Sequence, residues 1–237
     1  MGVVLLDHGT EESFPDPTDF DDAGLVALSS KLGTNRLVSA YQKGIFPWMK
    51  MDHPPHLWCW YSPNPRMLLY PEEFKISRSL ARVMKDKIFE IKVDHRFDRV
   101  MQACATIKRP QQESSWIEPD MQKDYGLLHQ QGIAHSIEAY VGDKLVGGLY
   151  GLCLGKAFFG ESMFHTVPEA SKVCMAKLVD IAKAEGFHFI DCQVPNPFLQ
   201  SLGAREVKRE IFLSQLADAC KPTGTETDWR SLAQNIA

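Results

Sequence analysis

The sequence predicts an α+β fold built on a mainly antiparallel sheet. Three observations predict it. Helix-period segments recur between residues 34 and 132. Two glycine-containing turns, at 142–143 and 155–156, then join segments with strand character. A long amphipathic segment at 168–185 follows, and after it a short apolar run at 187–194. Helices, then a meander, then one helix and one strand is an α+β order.

Each element has a local cause. Residues 13–23 (SFPDPTDFDDA) are rich in Pro and Asp and read as a surface arm. A helix is expected over 34–43, where Leu37, Val38 and Tyr41 share a face, Thr34 is the candidate cap and Gly44 the stop. The next stretch, GIFPWMKMDHPPHLWCWYSPNPR, is too dense in Pro to stay regular for long. Its aromatics, Phe46, Trp48, Trp58, Trp60 and Tyr61, must pack a domain contact or line a pocket. The pattern changes at 66, where RMLLY reads as a strand. A basic helix at 77–86 capped by Ser77 follows, then a helix opened by Asp94 with Phe97, Val100, Met101 and Cys104 on one face. Pro119 suits a first helical turn, and Gly132 ends that helix. AHSIEAYV and KLVGGLYGLCL form a hairpin across Gly142-Asp143, and Gly155-Lys156 leads into AFFGESMF. This element order is also that of GNAT-like acyltransferases.

Composition bounds the function. The 237 residues are 44% hydrophobic and 24% charged, an ordinary globular balance with no apolar run long enough for a membrane span and no secretory leader, so a cytoplasmic protein is expected. The six cysteines form no CxxC pair and read as reduced, buried side chains, the eight histidines make no metal-ligand spacing, and no P-loop or GxGxxG occurs, so neither a metal nor a nucleotide cofactor is expected. A net charge of −4 restricts any RNA contact to a local patch. The helix carrying Arg78, Arg82, Lys85 and Lys87 is the candidate for phosphate contact, unless it is merely a solvated face.

Several residues stand out chemically. In 187–194 a strand period of two puts Asp191 and Gln193 on one face, where they could orient a nucleophile or form a surface pair. Asn196 lies just beyond and is a further candidate for substrate contact. Glu161 is an acid in an apolar strand and needs a partner, either a ligand or a structural ion. The glycines of GGLYG (147–151) imply a bulge or a close approach to the backbone. Trp116 plugs a helix start or stacks on a base.

Taken as strings, the chain says more. AYQKGIFPW (40–48), WYSPNPR (60–66), KISRSL (75–80), SWI (115–117), GIAHSIEAY (132–140), LVGGLYG (145–151), FFGESMF (158–164), EASK (169–172), IDCQV (190–194) and SLGA (201–204) occur in this order. Together they resemble the leucyl/phenylalanyl-tRNA–protein transferases over roughly residues 13–215. The resemblance implies a small N-terminal α/β domain (1–65) and a GNAT-like catalytic domain (66–237). It implies transfer of Leu or Phe, Met less well, from an aminoacyl-tRNA to a protein with an N-terminal Arg or Lys, marking it for N-degron degradation. Residue by residue it makes Asp191 and Gln193 the relay that positions and deprotonates the acceptor amine. It has Trp48 and Trp116 embrace the terminal adenosine, with Leu149, Phe158 and Ile190 lining the donor pocket. Glu161 anchors a polar group nearby, and the basic helix holds acceptor-stem phosphates.

The chain departs from the family's usual pattern at SSKL (29–32), Phe198 and Leu149, which bears on acceptor choice more than on reaction type. Competing readings are a transferase with another donor or with acidic acceptors, and an inactive tRNA- or degron-binding module. An acetyl-CoA-dependent enzyme would need a pyrophosphate loop before 168, and no such string occurs.

Overall fold

The computed structural model describes residues 2–6, 14–107, 117–221, 227–229 and 231–232. Strands β1 (Val4–Leu6) and β2 (Leu25–Ser29) precede helix α1 (Thr34–Gln42) and strands β3 (Phe46–Lys50) and β4 (Trp58–Tyr61). These four strands form one sheet in the order β1-β2-β4-β3, parallel at β1–β2 and antiparallel elsewhere. The Pro- and Trp-rich stretch thus breaks into two short strands that bury Phe46, Trp58 and Trp60. The described part of the predicted surface arm is pinned by buried Phe14 and Phe20, and Phe14 packs edge-on against Trp60 at 4.9 Å. Gly33, not Thr34, occupies the cap of α1; Thr34 is already helical and no side chain caps the end.

The second sheet begins with β5 (Arg66–Leu69). After it come α2 (Arg78–Lys85), β6 (Glu90–Val93), α3 (Phe97–Thr106) and α4 (Pro119–Gln130). Ser77 caps α2 as expected, accepting from the Leu80 amide. Asp94 does not open α3. It sits at φ +53, before the Arg96 cap, and its carboxylate takes the Ser136 amide and the His135 ring instead. An Asp that can satisfy a neighbouring strand has less need of a helix end. The meander β7 (Ala134–Val141), β8 (Lys144–Leu154) and β9 (Ala157–His165) follows, then α5 (Ala170–Ala184) and β10 (Phe189–Gln193). Helix α6 (Pro197–Ser201), β11 (Arg205–Val207) and α7 (Arg209–Ala219) complete the described order.

The seven strands run β11-β5-β10-β9-β8-β7-β6, and β9–β10 is the one parallel pair, connected through α5. The hairpin register sets Ala134 opposite Leu152 and Ile137 opposite Leu149. The first pair joins the α3 and α4 side chains in one cluster; the second joins α5 in another. Both faces of the central strands are therefore covered, which is why β7 is buried from Ala134 to Tyr140 rather than alternating. The first cluster also takes in Phe46, Trp58 and Trp60, so the core is continuous between the two sheets.

Candidate active site

Strands β9 and β10 pair over Ala157–Phe159 and Phe189–Asp191, and beyond these residues they part. Two irregularities cause the divergence. On β10 the pairing with β5 shifts between Asp191 and Gln193, and Gln193 adopts φ +63, a region costly for a non-glycine residue. On the β8–β9 side the register slips between Tyr150 and Gly151, which leaves Glu161 without a cross-strand partner. A cavity of about 430 Å³ opens in the gap, a size suited to a small ligand or part of a larger one.

Leu149, Phe158 and Ile190, far apart in sequence, meet in its wall, joined by Met163, Met175 and Leu178. Trp48 lies half-buried at the rim and packs edge-on against Tyr61 at 5.2 Å. Trp116 falls outside the described residues. Asn196 also borders the cavity, but its Oδ1 accepts the Phe198 and Leu199 amides as the cap of α6. The glycines of 147–151 answer to packing. A Cβ on Gly147 would meet Ala170 at 2.5 Å, and one on Gly151 would meet the Phe158 ring at 2.6 Å.

The polar end of the cavity is a buried network. Glu161 Oε1 accepts from the Tyr41 hydroxyl (2.6 Å) and from Gln193 Nε2 (2.7 Å), and Oε2 lies 3.1 Å from the Tyr125 hydroxyl. The two hydroxyls are themselves 2.5 Å apart. Three oxygen contacts need three protons. The two phenols supply two, so the set is complete only when Glu161 carries the third. Burial accordingly pushes the Glu161 carboxyl up to about 7, against the lowering effect of its hydrogen bonds.

The expected common face of Asp191 and Gln193 is not found. The bulge at Cys192 breaks the period of two, so Gln193 borders the cavity while Asp191 points into the protein. There Asp191 meets Arg66 of β5 in a fork, Nε to Oδ1 at 2.9 Å and Nη2 to Oδ2 at 2.6 Å, and both side chains are fully buried. The rings of Phe46 and Phe212 flank the guanidinium at 4.7 and 4.5 Å. Asp191 Oδ1 also accepts the Gln193 amide at 2.8 Å. Asp191 thus holds the unusual backbone of Gln193 in place and reaches the cavity through it. Arg66, Tyr41 and Tyr125 were missed as site residues in the sequence. Arg66 opens an apolar strand and needed an anion; Asp191, the lone charge in IDCQV, was available to it.

Arg78, Arg82, Lys85 and Lys87 are all exposed on and just after α2, with Arg82 3.6 Å from Asp86. Among the described residues no group of histidine, cysteine or acid side chains is arranged to hold a metal ion, and no helix is long and apolar enough to cross a membrane.

The pattern of the leucyl/phenylalanyl-tRNA protein transferases matches residues 68–217, and that of their N-terminal domain matches residues 31–64. The chain is 46% identical over 222 residues to the leucyl/phenylalanyl-tRNA–protein transferase of Legionella pneumophila (strain Corby), covering 94% of this chain and 98% of the relative. It is 49% identical over 198 residues to that of Nitrosomonas eutropha, covering 82% and 83%. Among solved structures, a ribosomal-protein-alanine N-acetyltransferase from Brucella melitensis overlays 59% of this chain and 94% of its own, at 17% identity and a TM-score of 0.33, too loosely to carry an argument. On the sequence match along nearly its whole length, the chain belongs to the leucyl/phenylalanyl-tRNA–protein transferase family.

Proposed function

We propose that the protein transfers leucine or phenylalanine, and methionine less well, from aminoacyl-tRNA to the N-terminal Arg or Lys of an acceptor protein, marking it for N-degron degradation in the cytoplasm. The observation that carries this reading is an apolar cavity ending on the buried Glu161–Gln193–Tyr41–Tyr125 network. The apolar part suits the donor side chain, with the Leu149, Phe158 and Ile190 wall penalising β-branched donors by about 1–3 kcal/mol. The polar end suits the reacting ester and amine.

The donor ester is already activated, so holding the reactants in line supplies most of the catalysis. In this reading Trp48, with Trp116, holds the terminal adenosine. The phosphates behind it meet Arg78, Arg82, Lys85 and Lys87. Gln193 gives its Nε2 to Glu161, which turns Oε1 away as an acceptor for an N–H of the incoming amine. Asp191 and Arg66 fix the Gln193 backbone and act as positioning residues. The neutral amine attacks the ester carbon, the C–N bond forms and the C–O bond to the ribose breaks. One amine proton ends on the ribose hydroxyl.

An Arg donor needs a free acid, but both Glu161 oxygens are engaged. The cavity wall has no Lys, Arg or His to pair with an acidic acceptor and no acid besides the engaged Glu161 to pair with a basic one among the described residues, so the choice of Arg or Lys as acceptor rests on membership of the family. The test is transfer of radiolabelled Leu from Leu-tRNA to otherwise identical proteins beginning with Arg, Lys, Asp or Glu. Transfer to Arg and Lys is expected. Transfer to Asp and Glu alone would overturn the acceptor assignment, and no transfer to any of them would favour a binding module.

A further inference from the structure

One wall of the cavity is backed by a residue from the far end of the chain. The Phe158 ring lies in the wall, fully buried, across the bare backbone of Gly151, where an added Cβ would stand 2.6 Å from Cε1 and 2.8 Å from Cζ. The ring therefore cannot settle closer to the sheet. Beside it stands Trp229, 4% exposed, its ring centroid 5.7 Å from that of Phe158 and 6.3 Å from that of Phe187. Trp229 in turn stacks on His135 at 4.2 Å with 11° between the planes. His135 is held through both nitrogens, Nδ1 on Asp94 Oδ2 at 2.7 Å and Nε2 on the Gly132 carbonyl at 3.0 Å. His135 also lies directly opposite Gly151 in the β7–β8 register. The result is a continuous aromatic row, His135–Trp229–Phe158, anchored at one end by hydrogen bonds and bordering the cavity at the other.

Trp229 lies beyond the residues matched by the family pattern, which stop at 217. Its segment is tied back near the end of α5, where Thr227 Oγ1 donates to Glu185 Oε2 at 3.3 Å, and Leu232 packs in the same cluster. We infer that Trp229 is a specificity-determining residue: by holding Phe158 forward it limits the size of the donor side chain the cavity takes. The inference rests on the reading of this cavity as the donor pocket. Close-packed interiors leave a buried ring little freedom while its neighbours stay. Without the indole, Phe158 gains room to tip away from the cavity and the pocket deepens. Larger apolar side chains then fit, and Leu packs less closely. Differences of a methylene or so in such a pocket are worth about 10–200-fold.

The test measures binding of non-hydrolysable 3′-aminoacylamido-adenosines bearing Leu, Phe or a naphthyl side chain to the full chain, as wild type, Trp229→Phe and Trp229→Ala. Circular dichroism and melting temperature are recorded for each. The wild type is expected to prefer Leu and Phe. Trp229→Ala should move the naphthyl-to-Leu affinity ratio by about 10-fold or more toward naphthyl, with Trp229→Phe shifted the same way by less. If Trp229→Ala does not fold, the direction of the Trp229→Phe shift decides. Folded variants with the wild-type ratio, whatever their melting temperatures, overturn the inference and leave the pocket reading intact. A wild type that binds none of the three overturns the pocket reading, and the inference with it.

Discussion

Asp191 and Gln193 are two residues apart and do different things. Asp191 is half of a fully buried ion pair with Arg66. Removing one partner of such a pair strands the other charge and costs about 3–5 kcal/mol. Asp191→Ala is therefore expected to fall by about that much in urea unfolding, whereas Gln193→Ala, which loses one hydrogen bond to Glu161, should lose about 1–3 kcal/mol. Arg66→Met combined with Asp191→Leu should recover most of the stability without recovering activity, because the clamp on the Gln193 amide is gone. Equal stability of the two single variants would contradict this division of roles. Glu161 makes a separate prediction. Its carboxyl rises from 4.5 in an open chain to about 7 when folded, so between those values the folded protein holds the extra proton. Stability is then greatest below about pH 4.5 for this group, declines as pH rises through the interval and levels off above about 7, a total of about 3 kcal/mol. Glu161→Gln should remove that decline, which urea midpoints from pH 5 to 8 would reveal. A variant with the same slope as wild type would show that the buried proton is not on Glu161.

At the level of elements, legibility followed periodicity. The helices opened by Ser77 and Pro119, the meander and the long helix were readable because capping, proline placement and glycine turns act within a few residues. The strands β1, β2, β6 and β11 gave no such signal; each has three to five residues and is stabilised by pairing with chain far away. The expected common face of Asp191 and Gln193 is absent for one reason. A period of two gives a common face only in a regular strand, and the bulge at Cys192 with the left-handed Gln193 is set by β5 and β9 on either side. Likewise Tyr41 was visible as part of an apolar stripe on α1, while its hydroxyl finds Tyr125 and Glu161 only once α4 and β9 are in place. Helix α2 yields a prediction at this scale. Its basic residues are exposed and bear little on stability. Replacing Arg78 and Lys85 by Glu is expected to raise the KM for aminoacyl-tRNA and to reduce the salt dependence of tRNA binding by about one log–log unit for each phosphate no longer neutralised. It should leave turnover of a short aminoacyl-adenosine donor unchanged. An equal loss with both donors would argue that α2 matters for folding rather than for RNA.

Across the whole molecule, the two sheets are joined by polar staples as well as by a shared core. Arg209, at the start of α7, gives its guanidinium to the carbonyls of Phe20, Asp21 and Ser62, and Arg66 of β5 gives Nη1 to the Gly44 carbonyl. Arg209→Ala leaves the Phe20 and Ser62 carbonyls without their buried partner and is expected to cost about 2–4 kcal/mol, lowering the melting temperature. A drop of less than about 1 kcal/mol would show that water replaces the guanidinium easily. The same assembly builds the cavity, since Phe46, Pro47 and Trp48 come from the first sheet and the rest of the wall from the second sheet, α5, α6 and the segment between β10 and α6. The central claim is that Gln193, presented by the bulge of β10, touches the reacting amine. The most direct measurement is single-turnover transfer of Leu from saturating Leu-tRNA to an acceptor with an N-terminal Arg, comparing wild type with Gln193→Ala. The predicted result is a transfer rate lower by about 100-fold with unchanged tRNA affinity. A Gln193→Ala rate within about twofold of wild type would contradict it.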